Sequence, residues 1–177
     1  MSKKSALVVI DVQVNVVKDA YNSDQVLDNI RTLLARARAS GTPVMYVQHE
    51  SRLGDGLEAG TPGWEIHPAI SPRQGEPVVQ KRACDSFHQT SLQHELEQRG
   101  IDHLVVVGAQ TDYCVGTSVR RATTCGYDVT LVSNAHTTED NAILTAEQVI
   151  AYHNALLDGF RTENSTITVK PTSQITF

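Results

Sequence analysis

Short apolar runs alternate along the chain with longer stretches whose apolar residues recur every three or four positions. The run ALVVID at 6–11 is continuous and rich in β-branched residues. That is the pattern of a strand covered on both faces of a sheet. Between 23 and 39, Val26, Ile30, Leu33, Leu34 and Ala37 fall at helical spacing, and Gly41-Thr42-Pro43 stops the helix. VMYVQ at 44–48 predicts a second strand. A polar, Gly-rich stretch at 49–75 follows, with Pro62, Pro68 and Pro72. It is too long for a simple connector, and such loops tend to carry function. PVVQK at 77–81 predicts a third strand, and 91–100 a helix closed by Gly100. HLVVVGA at 103–109 predicts a fourth strand, and 113–125 a helix ending before Gly126. DVTLVS at 128–133 predicts a fifth strand. At 145–157 a helix places Ala146, Val149, Ile150, His153 and Leu157 on one face. TITV at 166–169 predicts the last strand.

This alternation implies an α/β protein: a mainly parallel, six-stranded, doubly wound sheet in a three-layer α/β/α arrangement. At 177 residues the chain suits one domain spanning 1–177. A net charge of −5, with only short basic pairs, argues against a nucleic-acid surface. No apolar run approaches the roughly 20 residues of a membrane span. The segment after Lys4 is too short for a signal-peptide core, so a cytoplasmic protein is expected. Three cysteines without paired spacing fit a reducing compartment. The lack of a CxxC argues against a zinc knuckle.

In such folds ligands sit outside the carboxyl ends of the strands, so residues that end strands are the candidates. Asp11 ends the first strand after apolar residues, where desolvation raises a carboxyl pKa. Lys81 ends the third. Cys114 follows the fourth and stands at the start of a helix. A helix N-terminus and a nearby ammonium both favour a thiolate. Asp11 is placed to take the thiol proton and return it to a leaving amine. Backbone N–H groups of the first helical turn are placed to bind an oxyanion. Read singly, each residue has a structural alternative: a small buried hydrophobe, a strand cap, a solvated strand end. Their convergence at one sheet edge is the signal. Cys84 and Cys125 lack such a context and read as structural.

Four segments carry a family resemblance: ALVVIDVQ with Asp11, GTPGWEIHP, VVQKRACDSFHQTSL with Lys81, and VVVGAQTDYCVGTSVRRATTCGYDVTLVSNAHTT with Cys114. Together they resemble the isochorismatase-like cysteine hydrolases, which include nicotinamidases and N-carbamoylsarcosine amidase. The resemblance implies an Asp11-Lys81-Cys114 triad. It also implies a non-proline cis peptide at Ala109-Gln110, with an oxyanion hole built from the backbone N–H groups of Gln110 and Cys114. The implied reaction is cleavage of a C–N bond in a small amide or ureido compound through a Cys thioester, with release of ammonia. The resemblance also implies a homo-oligomer. Enol-ether hydrolysis of isochorismate and a non-catalytic role are the alternatives, as is a minor redox-sensing role for Cys114. Members acting on isochorismate commonly lack the cysteine, so its presence favours amide chemistry.

The sequence departs from the nicotinamidase pattern where those enzymes carry an Asp-x-His metal motif. Here the position reads Gln48-His49-Glu50, with His67 and His88 further on. Neither a metal nor a cofactor is expected. Asn134 stands where the family commonly has Asp, which points to an altered contact behind the site. Gln13, Trp64, Phe87 and Tyr113 are the candidate substrate-binding residues. Trp64 has a loop anchor as its equal alternative. His136 and Thr138 are candidates for the rim, with turn residues as the alternative. His49 is a candidate hydrogen-bonding group for substrate.

Overall fold

The computed structural model describes residues 3–177. The elements in order are β1 (Ser5–Ile10), α1 (Val14–Val17), α2 (Ser23–Ser40), β2 (Val44–His49), β3 (Val78–Lys81), α3 (Leu92–Gln98), β4 (His103–Ala109), α4 (Gly116–Thr124), β5 (Asp128–Thr137), α5 (Ala146–Leu157) and β6 (Ile167–Lys170). All six strands are parallel, in the order β3-β2-β1-β4-β5-β6. The expectation of a mainly parallel sheet is met by a wholly parallel one.

Alternation along β1 sorts its side chains into two cores. Ala6, Val8 and Ile10 face a cluster with Leu92 and Leu96 of α3, Val119 and Ala122 of α4, and Leu157 of α5. Leu7 and Val9 face a second cluster with Val26, Leu27, Ile30, Leu33 and Leu34 of α2. Burial on both faces is why β1 and β4 read as unbroken apolar runs. At about 25 cal/mol per Å² of apolar surface, such burial is the main force holding the three layers together.

The chain winds outward from β1 through β2 to β3, then returns to place β4 on the other side of β1. The carboxyl ends of β1 and β4 therefore flank the switch point, where a ligand crevice forms. Gly108 is needed at this seam. Its φ is 135°, and a Cβ there would lie 2.0 Å from the Ile10 carbonyl oxygen. Ala109–Gln110 is a cis peptide bond.

Two predicted elements depart from their sequence signals. β5 runs to Thr137 rather than 133 because it bulges. Val106 pairs with Leu131 but Gly108 with His136, so residues 132–135 bulge out of the pairing with β4, and the polar Ser133-Asn134 among them hides the strand's continuation. The helix expected from 113 is divided into a π turn at Thr111–Val115 and then α4. The 49–75 loop folds back on the strand-end segment after β1. Val14 N–H donates to Glu65 O, Asn15 N–H to Gly63 O, and His67 N–H to Val12 O.

Candidate active site

Asp11, Lys81 and Cys114 converge at the carboxyl edge of the sheet. Asp11 leaves β1 with a left-handed backbone (φ 49°), a conformation Asp tolerates better than most residues. Its N–H donates to Val47 O, which fixes the carboxylate over the β1–β2 seam. Lys81 is the last residue of β3, paired with His49 of β2. Its long side chain reaches past His49 to the Asp11 carboxylate. Cys114 sits in the π turn between β4 and α4.

The Lys81 ammonium is the hub. Its Nζ lies 2.6 Å from Asp11 Oδ2. It also lies 2.9 Å from Ala83 O, 3.1 Å from Cys114 Sγ and 3.2 Å from His49 Nδ1. An ammonium has three N–H donors, so four acceptors compete for them. Neither Asp11 oxygen receives a well-directed hydrogen bond. The 2.6 Å contact is thus a charge contact with poor hydrogen-bond direction. Both partners are almost wholly buried, with side-chain exposures of 0% and 2%.

Burial pushes the Asp11 carboxyl above its ordinary value, and Lys81 offsets this only in part. Burial opposes the charge on Lys81, yet Asp11 and Cys114 together hold its pKa above the usual lysine value. Burial, and then the Asp11 charge, push the Cys114 thiol up against the pull of Lys81. The sequence-based expectation of a depressed thiol is therefore corrected. It counted the helix and the ammonium but not burial and the carboxylate. With Asp11 ionised, Lys81 charged and the thiol neutral, the cluster carries no net charge. Moving the thiol proton onto Asp11 preserves that neutrality; losing it to solvent does not.

Asp11, His49 and Cys114 each offer a ligand atom within 4.8 Å of one another. The Lys81 ammonium touches all three, so a positive charge already occupies the centre and a cation does not fit beside it. His49 is held neutral by burial and then by Lys81, and its Nδ1 accepts from the ammonium. His67 accepts from the Ala69 N–H. His88 is exposed on a separate cleft beside β3.

A cleft of about 300 Å³ opens over the cluster. Asp11, His49, Gln110, Tyr113 and Cys114 are among its lining residues. Of the candidate substrate-binding residues, Tyr113 alone lines this cleft, and the residue is 57% exposed. Gln13 is fully buried, and its amide is committed to protein. Its Nε2 donates to His49 O and Trp64 O, and its Oε1 accepts from His49 N–H. It clamps the long loop instead of facing substrate. Phe87 packs on the core and stacks on Tyr127 with ring centroids 6.0 Å apart. Trp64 lies off the cleft, its carbonyl accepting from Gln13 and Gln48 and its indole N–H buried without a partner. The loop-anchor alternative is the one that matches this placement.

His136 and Thr138 do not rim the cleft. Both are buried. His136 Nδ1 meets Thr111 Oγ1 at 2.8 Å, and Thr138 Oγ1 donates to Asp112 Oδ1 at 2.6 Å. They hold the turn that carries Cys114. Asn134 is exposed and its Oδ1 accepts from the Thr172 N–H and hydroxyl, which places it at the C-terminal turn and away from the cluster. Cys84, read as structural, is exposed and lines the cleft. Asp55 and Glu139 also line it. No motif marked Asp55 or Glu139, and the motif holding Cys84 gave it no role, because loops bring the three together.

The isochorismatase domain family model matches residues 5–168. A streptothricin hydrolase from Streptomyces noursei is 38% identical over 138 residues, covering 76% of this chain and 50% of that protein. The chain thus spans about half the length of that relative. A solved isochorismatase from Pseudomonas putida superposes with a TM-score of 0.90 at 30% identity, over 98% of this chain and 92% of that one. N-carbamoylsarcosine amidase from Thermoplasma acidophilum superposes with a TM-score of 0.78 at 25% identity, over 97% of this chain and 98% of that one. By the family match, the wholly parallel six-stranded sheet and these neighbours, the chain belongs to the isochorismatase-like family of hydrolases.

Proposed function

We propose that the protein is a cysteine amidohydrolase that cleaves the C–N bond of a small amide or ureido compound. The observation that carries this reading is the buried Lys81 ammonium, 2.6 Å from Asp11 and 3.1 Å from Cys114, beneath an open cleft that Asp11 and Cys114 line. Asp11 takes the Cys114 proton as the sulfur attacks the carbonyl carbon. Its raised pKa makes it a stronger base than an ordinary carboxylate. Lys81 balances the charge as the negative centre moves from Asp11 to sulfur. The backbone N–H groups of Gln110 and Cys114 bind the oxyanion. Asp11 then returns the proton to the departing nitrogen, leaving a thioester and ammonia. Water attacks the thioester, Asp11 accepts its proton, and the carboxylic acid departs as the thiol reforms.

Streptothricin hydrolase and N-carbamoylsarcosine amidase, both similar to this chain, bear names consistent with such chemistry. Three free thiols suit a reducing, cytoplasmic setting. A homo-oligomer is supported by Tyr152 and Leu156, which are exposed on α5.

The test is an ammonia-release screen on small amides and ureido compounds, joined to acid quenching and mass spectrometry. The expected result is an acyl adduct on Cys114, with turnover lost by at least about a thousandfold in Cys114→Ala. Turnover retained in that variant overturns the reading.

A further inference from the structure

The charge around the cleft is one-sided. Its lining holds four ionisable residues besides Tyr113 and the two cysteines: Asp11, His49, Asp55 and Glu139. Asp11 is balanced by Lys81 beneath it. His49 is held neutral by burial and by Lys81. Among the described residues no Lys or Arg lines the cleft; Lys81 lies beneath the lining, against Asp11. Asp55 and Glu139 are therefore left as two exposed carboxylates on different segments, one in the 49–75 loop and one just past β5. Among the described residues neither forms an ion pair.

Both carboxylates are held at the cleft. Gln110 Nε2 donates to Glu139 Oε1 at 3.1 Å, which sets Glu139 beside the residue placed at the oxyanion. Asn15 Nδ2 donates to Gly56 O at 2.9 Å, anchoring the loop next to Asp55. The exposed Tyr113 ring adds a third feature, since an aromatic face attracts a cation within about 6 Å.

We propose that this cleft selects a positively charged substrate, an amide that bears an ammonium or guanidinium group received by Asp55, Glu139 and the face of Tyr113. This rests on the amidohydrolase reading for the bond cleaved, but not for the charge preference. A cleft lined by one sign of charge raises the local concentration of its counter-ion by about tenfold or more at low salt. Anionic amides are repelled by the same field.

The first experiment needs no turnover. Cys114 is modified in a Cys84→Ser background by three methanethiosulfonates: cationic trimethylammonioethyl, neutral methyl and anionic sulfonatoethyl. Each forms a mixed disulfide with release of methanesulfinate, and mass spectrometry locates the label. Rates are normalised to those of glutathione. The expected cation-to-anion ratio is about tenfold or more above that reference. It falls severalfold in Asp55→Asn/Glu139→Gln, and also when salt is raised from about 0.01 M to about 1 M. A ratio equal to the reference, or one unmoved in the double variant, overturns the proposal.

The second experiment compares ammonia release from β-alaninamide, butyramide and succinamic acid, which differ in charge at similar length. A preference for β-alaninamide that shrinks in the double variant supports the proposal. Equal kcat/KM for all three overturns it and leaves the amidohydrolase reading standing. Charge-selective labelling without hydrolysis of any amide does the reverse.

Discussion

Two buried polar groups sit at the carboxyl ends of the strands, joined by one five-residue turn. One is Asp11, Lys81 and Cys114. The other is His136 with Thr111 and Asn154. The second is closed. His136 Nδ1 meets Thr111 Oγ1 at 2.8 Å and Nε2 meets Asn154 Oδ1 at 2.9 Å, while Asn154 Nδ2 donates to Ser133 O at 3.0 Å. Both ring nitrogens are satisfied in a neutral imidazole, with burial holding the pKa down at about 4. The first is open. Four acceptors crowd one ammonium, and the Asp11 oxygens lack directed hydrogen bonds. A closed network rigidifies. An open one holds a proton that has somewhere to go. The closed group holds Thr111, and Cys114 in the same turn belongs to the open one, so the rigid network positions the reactive one.

The largest expected effect is on the open group. Lys81→Met leaves the Asp11 carboxylate buried without its partner, at a cost of about 3–5 kcal/mol. Asp11 answers by holding its proton in the folded state. Its folded pKa then rises further above the unfolded value of about 3.9, so the variant loses stability as pH rises through that range. Urea melts of the variant at several pH values read this directly. A cost below about 1 kcal/mol at neutral pH would mean that the ion pair contributes little.

The closed group titrates with the opposite sign. Folding favours neutral His136, so its contribution is intact above pH 6.5 and is lost as pH falls to about 4. The expected slope is about 1.4 kcal/mol per pH unit for one proton. His136→Gln, which cannot take up the proton, flattens that slope in the same melts. An unchanged slope would place the titration on another group.

A smaller effect is expected from Gln13→Ala. It removes the Gln13 partner of the His49 carbonyl and N–H, and leaves the Trp64 carbonyl with Gln48 alone, at a cost of about 1–3 kcal/mol. Hydrogen exchange should quicken in the 49–67 segment while the β4–β5 core stays protected. Uniform protection there would mean that Gln13 does not hold the loop.

The reactive residues are legible in the sequence because Asp11 and Lys81 end strands and Cys114 follows one at a helix start, and a parallel sheet brings strand ends to one edge. The layer order is legible for a related reason: strands buried on both faces have nothing polar to interrupt them. What escaped depends on pairs distant in sequence. A buried amide such as Gln13 looks like a ligand until its partners at His49 and Trp64 are known. Phe87 looks like a pocket wall until Tyr127 is seen to stack on it. Asp55 and Glu139 are ordinary loop carboxylates until the fold places both on one cleft. The Cys114 thiol was expected to be depressed because helix and ammonium were visible in the sequence, whereas depth of burial was not.

The most direct test of the Asp11–Cys114 proton exchange is the pH dependence of Cys114 alkylation in the native protein and in Asp11→Asn, with the labelled residue identified by mass spectrometry. Burial and the Asp11 charge both raise the thiol pKa. The native midpoint should therefore lie above the free-thiol value of about 8.5. Removing the Asp11 charge should move it down, even as ammonia release is lost. A native midpoint below the free-thiol value, unmoved in Asp11→Asn, would contradict the exchange and leave Cys114 as a thiolate armed by Lys81 alone.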